Sequence, residues 1–407
     1  MNDHFEFTDG HSRKAVIRVI GIGGGGCNTV NQMAQADIQD VEFICANTDR
    51  DHLERCVPTN QLQLGPEITR GLGAGSDPRV GRQAAEEDRD RIREMLEGTD
   101  LLFLTAGMGG GTGTGAAPVI AQVAKELNIL TVAVVTKPFL FENKKRMNIA
   151  MQGLDELREF TDSLIVIPNE KLGLVLGTKI TMTNAFKAAN DVLQNAVRGI
   201  SELITCPGQL NVDFADVKTV MSNRGMAMMG VGVASGEDRA LKAVEMALSS
   251  PLLDDIELRG ARGLLVNVTC DDSLTMEEYS LINERVHEIA SDEADAKCGM
   301  SVNPNLNGEL RVTVVATGLH GNKTTVQVTA PVAQPINPRV ASFIRPEMPV
   351  VAPVAQPQMQ ARHQPDLDRP AYTRSVRQGS VGTAAAFLQE LDEDIINIPA
   401  FLRHQAD

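Results

Sequence analysis

Nine residues, 107–115, constrain this chain more than any others: Gly-Met-Gly-Gly-Gly-Thr-Gly-Thr-Gly. They follow a continuous apolar run, Leu101-Leu102-Phe103-Leu104, which predicts a strand buried on both faces. They precede an alanine-rich stretch over 116–124 that predicts a helix. Thr112 or Thr114 is placed to cap that helix, and Pro118 suits its first turn, where a missing N–H costs little. A loop between strand end and helix start offers backbone N–H groups, and glycines let that backbone approach an anion closely. The threonine hydroxyls add contacts for phosphate or a metal. A flexible turn needs one or two glycines; six of them point to a phosphate cradle. No Gly-Lys-Ser/Thr is present, so this is not a P-loop, and backbone dipoles, a metal ion and some other cation must neutralise the phosphate.

The same grammar occurs earlier. Residues 15–20 predict a strand that runs into Gly21-Ile22-Gly23-Gly24-Gly25-Gly26-Cys27-Asn28 and a helix over 29–35, the first βα unit of a nucleotide fold. Asn28 either reaches the ligand or caps the helix. A strand over 41–46 ends at Asn47-Thr48-Asp49, where a dinucleotide enzyme carries its ribose-binding acid, so Asp49 supports a dehydrogenase as the alternative. A third glycine loop, 71–75, precedes a charged helix over 79–97 with a solvated face. Further strands are predicted over 130–136 and 164–167. The fold class is therefore α/β, a Rossmann-like parallel sheet covered on both faces. Glu142 and Arg146 stand four apart, hence on one helix face; they form either an ordinary ion pair or a carboxylate for ribose and a guanidinium for phosphate.

A long helix over 183–205 follows, with apolar residues at helical spacing. Asn190 and Asp191 interrupt its first half. A carboxylate there can accept from guanine N1–H and N2–H, or simply face water. Phe186 stacks on a base or joins the core. In Asn211-Val212-Asp213-Phe214-Ala215-Asp216, the two aspartates share a face of an opening helix. They either cap it or polarise a water and help hold a cation. Beyond lies a smaller α/β region, with helices predicted over 238–249 and 276–291 and strands over 263–268 and 311–317. From about residue 320 proline, glutamine, alanine and valine dominate without helical period, which predicts a disordered linker over 320–383. The tail, 384–407, regains apolar residues at 395–403. It reads as a peptide that orders in a partner's groove, the alternative being a remnant packed on the protein's own body. Residues 1–13 form a loose arm.

Composition sets limits. A net charge of −15 argues against nonspecific nucleic-acid binding. The six cysteines (Cys27, Cys45, Cys56, Cys206, Cys270, Cys298) are scattered without a Cys-x-x-Cys pair, which suits reduced thiols better than disulfides or zinc. The histidines show no metal-ligand spacing either. There is no signal-peptide pattern and no apolar run long enough to span a bilayer, so a membrane role has to pass through a partner.

The loop 109–115 resembles the signature of the tubulin/FtsZ GTPase superfamily, and Asn211–Asp216 resembles that family's second signature. Val135-Thr136-Lys137-Pro138-Phe139, Ala188-Ala189-Asn190-Asp191-Val192 and Ile398-Pro399-Ala400-Phe401-Leu402-Arg403 are similar to its bacterial FtsZ branch. The resemblance covers about 14–318 and the last dozen or so residues. It implies a GTP-binding domain over 14–182, a central helix over 183–206 and a C-terminal domain over 207–319 that carries a catalytic loop, 211–216. It implies GTP/GDP with Mg2+ as cofactors. Gly24, Gly25, Gly26, Cys27 (by its backbone) and Asn28 would line the nucleotide; Gly110, Gly111, Thr112 and Gly113 would hold its phosphates. Glu142 would meet the ribose, Arg146 the phosphate side, and Phe186, Asn190 and Asp191 the guanine. Asn211, Asp213 and Asp216 would complete the site of the next subunit, making hydrolysis conditional on head-to-tail assembly. The implied product is a cytoplasmic filament that forms the cytokinetic ring on the inner face of the membrane. The segment from Ile395 to Arg403 would bind an FtsA-like membrane adaptor and other division proteins. Cys27 departs from the family's usual small residue, and Asn223-Arg224 from a more usual acidic or apolar pair. A dehydrogenase would leave the 107–115 loop and the tail unexplained; a nucleotide-binding protein without turnover would not need Asp213.

Overall fold

The computed structural model describes residues 14–36, 38, 40–176, 181–205, 210, 212–223, 225–253, 260–290 and 294–319. All belong to the unit Met1–Gln327. The arm, linker and tail, with the segment 395–403, lie outside the described residues, as do Asn211 and Arg224.

The chain begins with β1 (Ile17–Ile22), α1 (Gly23–Gln35), β2 (Val41–Asn47), α2 (Arg50–Leu53), β3 (Asn60–Gln63) and α3 (Pro66–Thr69). Next come α4 (Pro78–Glu87), α5 (Arg89–Leu96), β4 (Leu101–Gly107), α6 (Thr112–Glu126), β5 (Leu130–Lys137), α7 (Lys144–Phe160) and β6 (Ser163–Pro168). Then follow α8 (Asn169–Leu176), α9 (Met182–Thr205), α10 (Phe214–Met221), β7 (Gly225–Ser235) and α11 (Arg239–Leu248). The last elements are β8 (Gly263–Cys270), α12 (Met276–Ile289), β9 (Asp295–Val302) and β10 (Glu309–Leu319). Ten strands form one sheet in the order β3-β2-β1-β4-β5-β6-β7-β10-β8-β9. Pairing is parallel from β3 to β7, antiparallel on both sides of β10, and parallel again between β8 and β9.

The apolar runs form these strands because helices cover the sheet on both faces. Side chains alternate along β1: Ile17 and Val19 enter the core beneath α1 and α9, while Ile20 and Ile22 enter the core beneath α4 and α6. Leu101 to Leu104 are fully buried in the same two cores. Helix α9 buries Leu193, Ala196, Val197 and Ile200 on one face. From β8, the buried Asn267 side chain donates to the Gly199 carbonyl at 3.0 Å, fixing α9 to the later strands. No described helix is long and apolar enough to cross a membrane.

Several boundaries differ from the sequence reading. Helix α6 starts within the glycine-threonine loop, so Thr112 and Thr114 sit inside its first turn and cap nothing. Thr114 Oγ1 instead accepts the Gly109 N–H at 2.8 Å, and Pro118 falls in the helix interior. The charged helix over 79–97 is two helices parted at Asp88. That buried carboxylate is taken by the Gly65 N–H at 2.7 Å and by Arg91 at 2.8 Å. Strand β7 escaped the pattern because it is built from glycine and methionine. A Cβ at Gly230 would lie 1.9 Å from the Ala247 carbonyl oxygen, so the strand admits α11 only by having no side chain there.

Candidate functional site

Neighbouring parallel strands bring the two glycine turns together. β1 pairs β4 with Gly21 opposite Thr105 and Ile22 opposite Ala106. Beyond these residues α1 and α6 begin side by side. Gly23 has φ +69°, and a Cβ on it would stand 2.9 Å from the Gly113 nitrogen, so the turns abut backbone to backbone. The first-turn N–H groups of both helices lack intrahelical partners and sit at the positive ends of the helix dipoles. Two such ends lying side by side favour an anion placed beside them. Thr112 and Thr48 hydroxyls meet there at 2.6 Å.

A cleft of about 90 Å³ opens beside these turns, lined among others by Gly25, Thr29, Glu142, Arg146, Phe186 and Asn190. A second, of about 480 Å³, runs past Gly75, Arg79, Gly109 and Lys145 and shares Glu142 and Arg146 with the first. The second is of a size that suits a small-molecule ligand, and the first is a narrow recess that shares its Glu142–Arg146 wall. Arg146, Lys145 and Arg79 supply positive charge beside Gly109.

Glu142 and Arg146 are not on one α-helix. Glu142 ends a 3-10 turn, Asn143 takes φ 118°, and Arg146 belongs to α7. They still pair, at 2.8 Å, and Glu142 also accepts the Phe139 N–H at 2.9 Å. Phe186 is 43% exposed and stands edge-on to Phe139 at 5.5 Å between ring centroids, leaving a ring face on the cleft rather than in the core. Asn190 accepts from the Thr29 hydroxyl at 2.9 Å. Asp191 accepts from the Gln32 amide and lines neither cleft. Gly24 and Asn28 are exposed, with Asn28 bonded to His52 at 3.1 Å; Gly26 is buried, as are Gly111 and Gly113, and Gly110 is partly exposed. Asp49 is committed to capping α2, accepting the His52 N–H at 3.0 Å.

The sequence reading missed Asn169. It is 4% exposed, lines the first cleft, and its Oδ1 has no hydrogen-bond partner among the described residues. A buried acceptor left unpaired costs about 1–3 kcal/mol, which a ligand donor would recover. Its signal was Pro168-Asn169 at the end of a buried run, the carboxyl edge where doubly wound sheets take ligands.

Asp213 and Asp216 stand elsewhere. Asp213 caps α10 by accepting the Asp216 N–H at 2.7 Å, and Asp216 pairs with Lys297 at 3.0 Å. Helix α10 packs against β8 and β9, and neither carboxylate lines either cleft. The Cys27 side chain points away from the cleft. Its Sγ, with those of Cys45 and Cys56, forms a cluster in which all three lie within 4.8 Å of one another. Hydrogen bonding with Cys45 and burial push the Cys27 thiol well up, whereas donation from Cys27 draws Cys45 down.

A family model described as Tubulin/FtsZ family, GTPase domain, matches residues 16–177, and one described as FtsZ family, C-terminal domain, matches 225–320. The chain is 52% identical over 403 residues to the cell division protein FtsZ of Pseudomonas aeruginosa, covering 99% of this chain and 100% of that protein. It is 52% identical over 401 residues to the protein of the same name from Coxiella burnetii, covering 98% of each. Among solved structures, an empty FtsZ dimer from M. jannaschii superposes with TM-score 0.73 at 44% identity, covering 76% of this chain and 89% of that one. The GTPγS-bound protofilament of CetZ2 from Haloferax volcanii, at 19% identity and TM-score 0.63, shares the fold; 76% of this chain and 95% of that one are covered.

Proposed function

The chain belongs to the tubulin/FtsZ GTPase family, and from that premise we propose that it polymerises head to tail and hydrolyses GTP between subunits to drive bacterial cell division. The observation that carries the site is that two abutting glycine turns meet, through Gly25 and Gly107, on a cleft walled by Glu142, Arg146, Phe186 and Asn190. In this reading the GTP-binding domain spans 14–182, α9 serves as the central helix of 183–206, and 207–319 presents the catalytic loop. Gly24, Gly25, Gly26, the Cys27 backbone and Asn28 line the nucleotide, and Gly110, Gly111, Thr112 and Gly113 hold its phosphates. Phe186 stacks on guanine; Asn190 and Asp191 read its edge, Asp191 after releasing Gln32. The Glu142–Arg146 pair lies where the two clefts meet, so it can part, the carboxylate toward ribose and the guanidinium toward phosphate.

Mg2+ fits as an ion held by GTP oxygens, water and threonine hydroxyls such as Thr112, since hard cations prefer oxygen and Mg2+ keeps much of its water. When bound it would neutralise charge on the phosphates. Asp213 and Asp216 lie off the clefts of their own chain, which supports their acting on GTP held by a second copy. There a carboxylate orients the water that adds to the γ-phosphorus as GDP leaves. The filament assembles in the cytoplasm at the division site, tethered through residues 395–403 to an FtsA-like adaptor.

The test is GTP turnover per subunit against protein concentration, with light scattering on the same samples. Specific activity should rise together with scattering, and Asp213→Ala should bind GTP while losing turnover by roughly 100-fold or more. Specific activity that stays flat with concentration would remove the shared site.

A further inference from the structure

Three separate elements bring Cys27, Cys45 and Cys56 together. Cys27 lies near the N-terminal end of α1, Cys45 within β2, and Cys56 just after α2. Their sulfurs lie within 4.8 Å of one another. Within the cluster Cys27 donates to Cys45, Asn31 bonds Cys56 from outside, and the remaining contacts are long ones to backbone. Cys27 Sγ reaches the Gly21 carbonyl at 3.4 Å and that of Ala46 at 3.7 Å; Cys56 Sγ reaches the His52 carbonyl at 3.5 Å. Buried cysteines ordinarily pack as small apolar groups, and core packing alone does not require three sulfurs to converge. Cys27 and Cys45 have no exposed surface, whereas Cys56 keeps 8% and marks the route in.

The dimensions suit a metal ion. With a metal–sulfur bond of about 2.3 Å, the sulfurs of a planar three-coordinate complex stand about 4.0 Å apart. The cluster has to close by less than an ångström to reach that geometry. Among the described residues no histidine or carboxylate joins the three thiols within that reach. Three soft donors without a fourth match a soft ion content with three ligands; hard cations do not suit them, and zinc would need a water as its fourth ligand in a cluster where Cys27 and Cys45 have no exposed surface.

We propose that Cys27, Cys45 and Cys56 form a three-thiolate site for one monovalent copper ion, separate from the nucleotide cleft. Each S–H that becomes a ligand releases its proton to solvent, and the copper keeps its oxidation state. Binding would draw Cys27 off the Gly21 carbonyl at the base of the first glycine turn.

The full-length chain, reduced, oxygen-free and without nucleotide, is titrated with Cu(I) against a chromophoric Cu(I) chelator. A single equivalent should be retained, with X-ray absorption showing three sulfurs at about 2.3 Å. Cys56→Ala, a mild truncation at the edge of the cluster, and Cys45→Ser should each weaken retention by at least about tenfold, while Cys270→Ala and Cys298→Ala retain it. X-ray absorption on the unaltered chain decides the matter if Cys45→Ser does not fold. Loss of all copper to the chelator, equal retention by Cys56→Ala, or a two-sulfur shell would overturn the proposal. So would Zn(II) bound with an added nitrogen or oxygen shell in preference to copper. None of these readouts involves GTP, so failure here leaves the GTPase reading untouched.

Discussion

Gly81 offers a substitution in which local propensity and tertiary fit pull in opposite directions. It lies inside α4, where alanine is better than glycine by about 1 kcal/mol. Yet a Cβ at that position would stand 2.3 Å from the Gly111 carbonyl oxygen, on the loop that opens α6. Ordinary contact begins at 3.4 Å, so backbone must move by about 1.1 Å. Overpacking of this kind costs about 1–3 kcal/mol. Set against the helix gain, Gly81→Ala should destabilise the fold by about 0–2 kcal/mol, and the protein should still fold. Function should suffer more, because a misplacement of about 1 Å in a positioning group costs on the order of 100-fold in rate. Urea melts would read the first effect, and binding of a fluorescent GTP analogue with steady-state turnover the second. Gly115→Ala, whose Cβ would lie 2.0 Å from the Pro78 carbonyl oxygen across the same contact, should behave alike. A Gly81→Ala protein that melts later than the unaltered one and turns over GTP at an unchanged rate would refute the reasoning. It would show that α4 slides away without moving the loop.

Acid should expose the Arg239–Glu278 pair, which joins α11 to the start of α12 at 2.7 Å. The hydrogen bond from Arg239 holds the Glu278 carboxyl down at about 2. Its folded pKa lies below its unfolded one, so the stability it contributes is complete above about pH 4.5 and is lost as pH falls toward 2. Glu278→Gln should therefore melt about 2 kcal/mol less stable at pH 7, allowing for the carboxylate's partial exposure, and converge with the unaltered protein only as the pH reaches about 2. A gap that stays constant with pH would place the effect in packing. Deleting residues 395–407 should leave sedimentable GTP-dependent polymer intact and abolish capture by an FtsA-like adaptor; loss of polymer would mean that the tail packs on the body.

Much of the site's grammar was legible in one dimension. The apolar runs with glycine turns after them announced parallel strands feeding helix N-termini, since only a sheet covered on both faces needs uninterrupted apolar strands. The 107–115 and 21–28 loops each read as anion-binding turns, because glycine content and position are local properties. What lay beyond was set by the pairing of elements distant in sequence. That the two turns share one cleft follows from β1 lying against β4, a neighbour relation no local pattern encodes. Helix α6 begins earlier than its apolar run because the Gly109 N–H is held by Thr114. The Glu142–Arg146 pair survives a break in the helix that spacing alone would have made continuous. Asn169 becomes a buried unpaired acceptor only once α8 is placed at the cleft. The three cysteines, scattered along the chain, become one cluster because β2 and the segment after α2 fold back on the start of α1. Local chemistry decided which segments offer glycine-opened turns; long-range strand order decided which of them stand side by side, because side chains meet through the sheet and not along the chain.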